Sequence, residues 1–425
     1  MINKLYFIMN QLIKDKNNIF SKFNYILITI LPITLLAGSM VSNITVVLIG
    51  LFFIIDLVSR KNNFFLKDKN FHFLIIIYLY LIFNSIFISN HPEALFKAFA
   101  FIRFILLAYA INFYFKLYNN SFLKMWTLIF FVVSFDILFE FFVGKNILGF
   151  ESTYGGRIAS FTGDELKIGG FYFGFLFICL TLFEDKKKIL GLLLIVFFII
   201  ALIIGERSNF LKILIMYFLY LFFFINISYL KKLAIFFLIP VVAILIVNIS
   251  NLENRYKFSQ YFNLEEILNQ SEKNNYLIEV IKKNQHLTHF YISLKIFKEN
   301  ILFGKGFKTF RIESYNKKYY DDNFKISNGK GSTNLGATHP HQLHFELLSE
   351  FGIIGYLLII SNFLFVLIRS IYGKKEFLMK SSFLFIIASL VPFLPSGSFF
   401  TSYGATIFFI NYSFLIKTNN VVKAE

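Results

Sequence analysis

Apolar residues come in long runs along this chain. Twelve runs of about 16–22 residues stand out, at roughly 24–39, 43–59, 71–88, 94–115, 122–143, 168–183, 189–205, 210–228, 233–250, 345–368, 381–396 and 400–416. Each is long enough to carry a helix across a hydrocarbon layer of ~30 Å. The pattern therefore predicts an all-α, polytopic membrane bundle of about twelve transmembrane helices. It forms one integral membrane domain: helices 1–9 within residues 1–250, a single large loop at 251–343, and helices 10–12 within 344–425. Inside the loop, two stretches predict helices. One is 263–283, with Leu264, Ile267, Leu268, Leu277, Val280 and Ile281 on one side; the other is 287–299. A GKGF turn (Gly304–Phe307) and a polar, Asn/Gly/Lys-rich stretch at 315–338 follow.

Composition narrows the class. Hydrophobic residues make up 57% of the chain and charged residues 16%, against about 25% charged in an ordinary soluble domain. A soluble core could not hide so much apolar surface, so a cytosolic globular enzyme is excluded. The net charge of +17 would suggest nucleic acid in a soluble protein; in a membrane protein it first reflects basic cytoplasmic loops, and no nucleic-acid partner is expected. The single cysteine, Cys179, lies in an apolar run, which excludes a disulfide framework and a thiol–metal site.

Loop charge sets the orientation. With a cytoplasmic N-terminus and alternating spans, the segments before 24, at 59–70, 116–124, 184–188, 229–232, 369–380 and after 416 hold 21 of the 42 Lys/Arg, and the alternate short loops hold five. Both termini are then cytoplasmic and 251–343 faces the periplasm. The first run follows a basic segment (Lys4, Lys14, Lys16, Lys22) with no convincing cleavage site, so it reads as a retained span.

Candidate chemistry gathers on that outer side. Five of the seven histidines (His286, His289, His339, His341, His344) fall within 286–344. Single histidines at a membrane interface are common amphipathic fillers, but THPHQLHFELLSEFGIIG (338–355) is denser than that. Pro340 suits a helix start, which would set His341 in the first turn, where a neutral imidazole can accept a hydroxyl proton near pH 7. His339, His341 and His344 also read as H-x-H-x-x-H, yet no carboxylate spacing supports a metal, and none is expected. Glu206-Arg207-Ser208-Asn209 makes a whole connection between spans. A hydrated turn would explain its polarity, while the planar fork of Arg207 suits bidentate phosphate binding. Arg157 and Lys167 bracket small residues in GGRIASFTGDELKIGG (155–170), and Arg311 ends GFKTFR. Inside the spans, Arg103 sits just below the outer surface, and Asp136 and Glu140 lie one turn apart. An Arg103–carboxylate pair and a substrate contact are both open readings, and the carboxylates keep a proton-coupled transporter in play.

These residues resemble a known family. His341-Gln342, nine residues, then Gly352-Ile353-Ile354-Gly355 is similar to the H-[NSQ]-x9-G-x-x-G pattern of the O-antigen ligase and O-antigen polymerase superfamily of bacterial polysaccharide assembly. GRIASFTGDELKIGG, GERSNFLK, THFYISLKIFKENILFGKGFKTFR and a large loop between late spans fall in the order seen in that family. The resemblance implies a twelve-helix bundle in the inner membrane. It implies an inverting, metal-independent glycosyl transfer, without cofactor, from undecaprenyl-pyrophosphate-linked glycan to a sugar hydroxyl such as one on the lipid A-core of lipopolysaccharide. By the same resemblance, His341 handles the acceptor hydroxyl and Arg207 the pyrophosphate; from their places in the chain, Arg157, Arg103 and His289 are further candidate substrate contacts. Many members have a second arginine just before the segment equivalent to 290–306. Here that neighbourhood reads QHLTHFY, so Arg255 or Arg311 is expected to stand in.

Two alternatives accompany this expectation: a repeat-unit polymerase, which shares the motifs, and a transporter or flippase for a lipid-linked sugar or small anion. A transporter should show paired half-chain repeats or broken mid-membrane helices, and the sequence shows neither.

Overall fold

The computed structural model describes residues 18–118, 121–151, 156–165, 167–249, 256, 285–319, 336–371 and 376–416. The described residues form helices and connections with no strand. In chain order the longer helices are α1 (Ile19–Leu36), α2 (Ser39–Ser59), α3 (Lys69–Phe87), α4 (Ala94–Leu117, stepping at Phe101), α5 (Phe122–Val143), α6 (Ile168–Leu180), α7 (Lys187–Ile203), α8 (Arg207–Phe224), α9 (Tyr229–Ile249), α10 (Gln285–Glu299), α11 (Leu343–Ile371), α12 (Phe377–Ser389) and α13 (Ser402–Ser413). Eight are long and apolar enough to cross a membrane: α1 to α5, α8, α9 and α11. The other four expected spans correspond to α6, α7, α12 and α13, which are apolar but shorter than 18 residues. The expected helix at 263–283 lies outside the described residues, as does Arg255.

Helices in lipid are held together by close packing and interhelical hydrogen bonds. The core supplies both. Gly174 of α6 has no β-carbon, and Ile407 of α13 occupies the space one would need. Asn411 then donates to the Gly174 carbonyl at 3.1 Å, and the Trp126 indole of α5 to the Ile28 carbonyl of α1 at 2.9 Å. At one end of the bundle buried polar groups lock the helices: Asp56 accepts from Asn18, Arg60 and Tyr114, and Asp68 from Tyr109 and Arg369. The opposite end carries the loops with the predicted chemistry.

There, α11 is broken. Gly352 has φ 64° and ψ −166°, a region open essentially only to glycine, and a β-carbon would run into the Leu302 carbonyl. The break frees backbone groups that the 301–306 turn takes up. Ile353 and Ile354 donate to Ile301 and Leu302, and Lys305 and Gly306 donate to Ser349 and Glu350. From α3, Asn84 donates to the Phe303 carbonyl and accepts the Phe307 N–H, while Ser89 holds the Phe307 carbonyl. So the glycine of the G-x-x-G motif has a specific use: it docks the GKGF turn onto the helix that follows the histidines.

One expectation is corrected here, and one of the two open readings of Arg103 is set aside. Pro340 does not start a helix, and His341 is not in the first turn of one. The helix begins at Leu343, because the Gln342 side chain accepts the Phe345 N–H at 3.1 Å and so takes the N-cap. His341 stands outside it with φ 59°. Nor does Arg103 pair with a carboxylate among the described residues: its guanidinium donates to the Ala100 carbonyl and the Ser402 hydroxyl and lies over the Phe104 ring.

Candidate functional site

α10 places the first two histidines. Its buried positions Thr288, His289, Ile292, Ser293 and Ile296 recur at helical spacing and face α11. Phe290 stacks on Phe345 at 4.5 Å, and the Ser293 hydroxyl donates to the Phe345 carbonyl at 2.6 Å. This docking carries His286 and His289 under the 336–342 connection. The His341 ring centroid lies 5.3 Å from that of His286, 5.4 Å from that of His289 and 4.1 Å from that of His339. Four imidazoles, two from α10 and two from the connection before α11, thus lie together.

His344 is not among them. Its ring is held by the Tyr356 hydroxyl and the Leu390 carbonyl, so H-x-H-x-x-H does not converge. Among the described residues no group of three or more His, Cys, Asp or Glu is arranged to hold a metal ion.

Cations frame the cluster. Arg157 acts electrostatically on His286, and Lys308 and Arg311 act on His339 and on His91 of the 88–93 connection. Burial first and the neighbouring imidazoles second hold His289 at about 4 and His341 at about 3, below the ordinary value of 6.5, while burial first and Lys308 second hold His339 at about 4. His286 is lowered too, by burial and then by Arg157. All four are neutral at pH 7, so each ring keeps one nitrogen lone pair as an acceptor. His289 is 1% exposed, and neither of its ring nitrogens has a hydrogen-bond partner among the described residues.

The Arg157 loop is built from below by two carboxylates. Asp136 accepts from the Ser160 hydroxyl at 2.5 Å and the Ile147 N–H at 2.8 Å, while Glu140 accepts the Ala159 and Ser160 N–H groups at 3.0 and 2.6 Å. The feature that argued for a transporter is therefore occupied by loop backbone. Ile158 donates to the Ile204 carbonyl at 3.1 Å, which ties the Arg157 loop to the connection before α8. Arg207 is the first residue of α8 and not part of a free loop. Beside it Glu206 packs on Gly169 and accepts from Asn209 at 2.6 Å. Arg103 reaches the same end through Ser402.

The structure thus brings His341 and His289 together, with Arg157 acting on neighbouring His286 and Arg311 on neighbouring His339, starts α8 with Arg207 just after the connection tied to the Arg157 loop, and puts Arg103 beside Ser402. Sequence reading passed over Lys308. It is 5% exposed with φ 62°, and its ammonium lies between the Phe307 and Phe400 rings, 3.3 Å from the Ser398 hydroxyl and 3.9 Å from Glu346. Its place between the GKGF turn and Arg311 was the available signal.

Residues 192–360 match the O-antigen ligase family. Over that stretch the chain is similar to the O-antigen ligase superfamily. The matched stretch, about two-fifths of the chain, holds Arg207, Arg255, His289, Arg311, His341 and the G-x-x-G break; Arg103 and Arg157 lie before it. A search of curated proteins finds no match. Similarity to the O-antigen ligase family over that stretch agrees with a multi-pass helical protein whose polar residues collect at one end.

Proposed function

We propose that this protein is a membrane glycosyl transferase of the O-antigen ligase type. It moves a glycan from undecaprenyl pyrophosphate to a sugar hydroxyl, on lipid A-core or a growing chain, at the periplasmic face of the inner membrane. The observation that carries the reading is the neutral histidine cluster framed by Arg157, Lys308 and Arg311. It lies at the end of the bundle whose short loops are poor in Lys/Arg. Twelve spans with both termini cytoplasmic fit that placement.

The chemistry follows from this arrangement. The acceptor oxygen attacks the anomeric carbon from the face opposite the phosphate, so the configuration inverts. The hydroxyl proton passes to a His341 ring nitrogen. The anomeric carbon–oxygen bond breaks, and undecaprenyl pyrophosphate leaves with the extra negative charge. Arg207, with Arg157 and Arg311, stabilises that charge, a task that preorganised guanidiniums perform without a metal. Burial holds His341 at about 3, so it takes the proton in step with bond breaking at the anomeric carbon and not ahead of it.

The test is transfer by His341→Ala, assayed with lipid-linked donor and a defined acceptor. A loss of roughly 10²-fold or more is expected for removal of a general base, with activity of the wild type surviving chelator. Retained transfer by that variant overturns the mechanism. In a deletion strain, lipid-linked polymer accumulating with no long chains on core means ligase; single-repeat caps mean polymerase.

A further inference from the structure

Glu346 lies five residues beyond His341, in the first turn of α11, and is 1% exposed. Its carboxylate is shared among separate parts of the chain. One oxygen accepts from the Ser398 hydroxyl and lies 3.9 Å from the Lys308 ammonium; the other accepts the Phe399 N–H at 2.9 Å. Two residues before Ser398, the Ser396 N–H donates to the His341 carbonyl at 2.6 Å. The contacts therefore run from Glu346 through 398–399 and 396 back to the backbone of His341.

That backbone needs holding. His341 has φ 59°, where a residue with a β-carbon persists only if its surroundings over-determine it. Its imidazole has no hydrogen-bond partner among the described residues, only ring neighbours. The direction of the ring is thus set through the main chain. Lys308 braces the same segment from the other side, through Ser398 and the Phe400 ring, and offsets a carboxylate that would be costly if buried alone.

We propose that Glu346 is a positioning residue for His341: its carboxylate anchors 396–399, and that segment pins His341 in the left-handed conformation that aims the imidazole into the cluster. The inference rests on His341 being the acceptor-side group, as proposed above. It differs from a role in which Glu346 merely neutralises Lys308.

Glu346→Gln separates these roles in the purified full-length protein. The amide cannot accept on both ends, so either Phe399 or the Ser398–Lys308 side faces a donor. Two results are expected. Carbethoxylation of His341 by diethyl pyrocarbonate, mapped on peptides, speeds up several-fold while that of exposed His72 is unchanged. Turnover falls ~10-fold or more at unchanged KM for donor, because a displaced group loses rate and Arg157 and Arg207 stand on other elements. The probe is lipid-linked glycan and acceptor extracted from a strain lacking this protein. Glu346→Gln with Lys308→Met should stay as slow as Glu346→Gln alone, whereas recovery would mean charge neutralisation and overturn the proposal. Ser398→Ala, which leaves every charge in place, should shift labelling and turnover the same way but less; it serves if Glu346→Gln fails to accumulate. Wild-type labelling and turnover in Glu346→Gln, or in Ser398→Ala where that variant stands in, also overturn it. If His341→Ala in parallel transfers normally, the catalytic reading fails, while the labelling change still reports the anchoring.

Discussion

Glu140→Ala tests whether buried carboxylates build the Arg157 loop. Glu140 is 3% exposed, and its two oxygens accept the N–H groups of Ala159 and Ser160, which are themselves 1% and 0% exposed. Alanine removes both acceptors and leaves two backbone donors where water does not reach. A buried donor without a partner costs about 1–3 kcal/mol, so the pair is worth about 2–6 kcal/mol. Glu140→Gln keeps one acceptor and should cost about half as much. Asp136 still holds the Ser160 hydroxyl and the Ile147 N–H, so the loop should loosen without being lost. Arg157 precedes Ala159 by two residues, and the shift reaches it directly. The assay is thermal unfolding in detergent together with donor KM. The Ala variant should melt several degrees lower and show a raised KM with a smaller change in kcat, with Gln between it and the wild type. An Ala variant that matches wild type in both would refute the reasoning.

Arg207→Lys keeps the charge and loses the fork, so transfer should largely disappear while the protein still inserts and accumulates; near-normal transfer would reduce Arg207 to a helix-end cation. For orientation, a cysteine at Asn328 should react with membrane-impermeant maleimide in intact spheroplasts and one at Lys187 only after permeabilisation, and the reverse labelling would put the histidine cluster in the cytoplasm. Acid should destabilise the fold. His289, His339 and His341 take up protons near pH 3–4 when folded, against 6.5 ordinarily, so below about 6.5 the unfolded chain holds more protons and stability falls as pH drops, by up to about 1.4 kcal/mol per pH unit per histidine. A melting temperature flat between pH 7 and 5 would contradict this. Gly352→Ala should cost at least about 1 kcal/mol and reduce accumulation, because both its backbone angles and the Leu302 carbonyl forbid a β-carbon; wild-type levels and melting would show that the break is not required.

Much of the bundle was legible because a lipid-spanning helix writes its own signature: an apolar run long enough to span, with basic loops at one end. Boundaries were legible only where local chemistry set them alone. The His341 position shows the limit. Pro340 is a good local reason to begin a helix, yet the Gln342 cap and the Ser396 N–H, 55 residues away in sequence, settle the matter for a later start. The candidate site divides the same way. His341 and the G-x-x-G break stand in one motif, so they could be read together. His286 and His289 were visible as residues, but their meeting with His341 depends on Phe290 and Ser293 docking against Phe345, a contact no spacing rule contains. Asp136 and Glu140 make the opposite point. An acidic pair in an apolar run suggests proton traffic when the partners are unseen; the partners are four donors from a loop up to 24 residues away, and they turn a transport signature into a support for an arginine. Buried charge in a membrane bundle signals that something is being held, and which backbone supplies the donors decides whether that is a proton, a ligand or the chain itself.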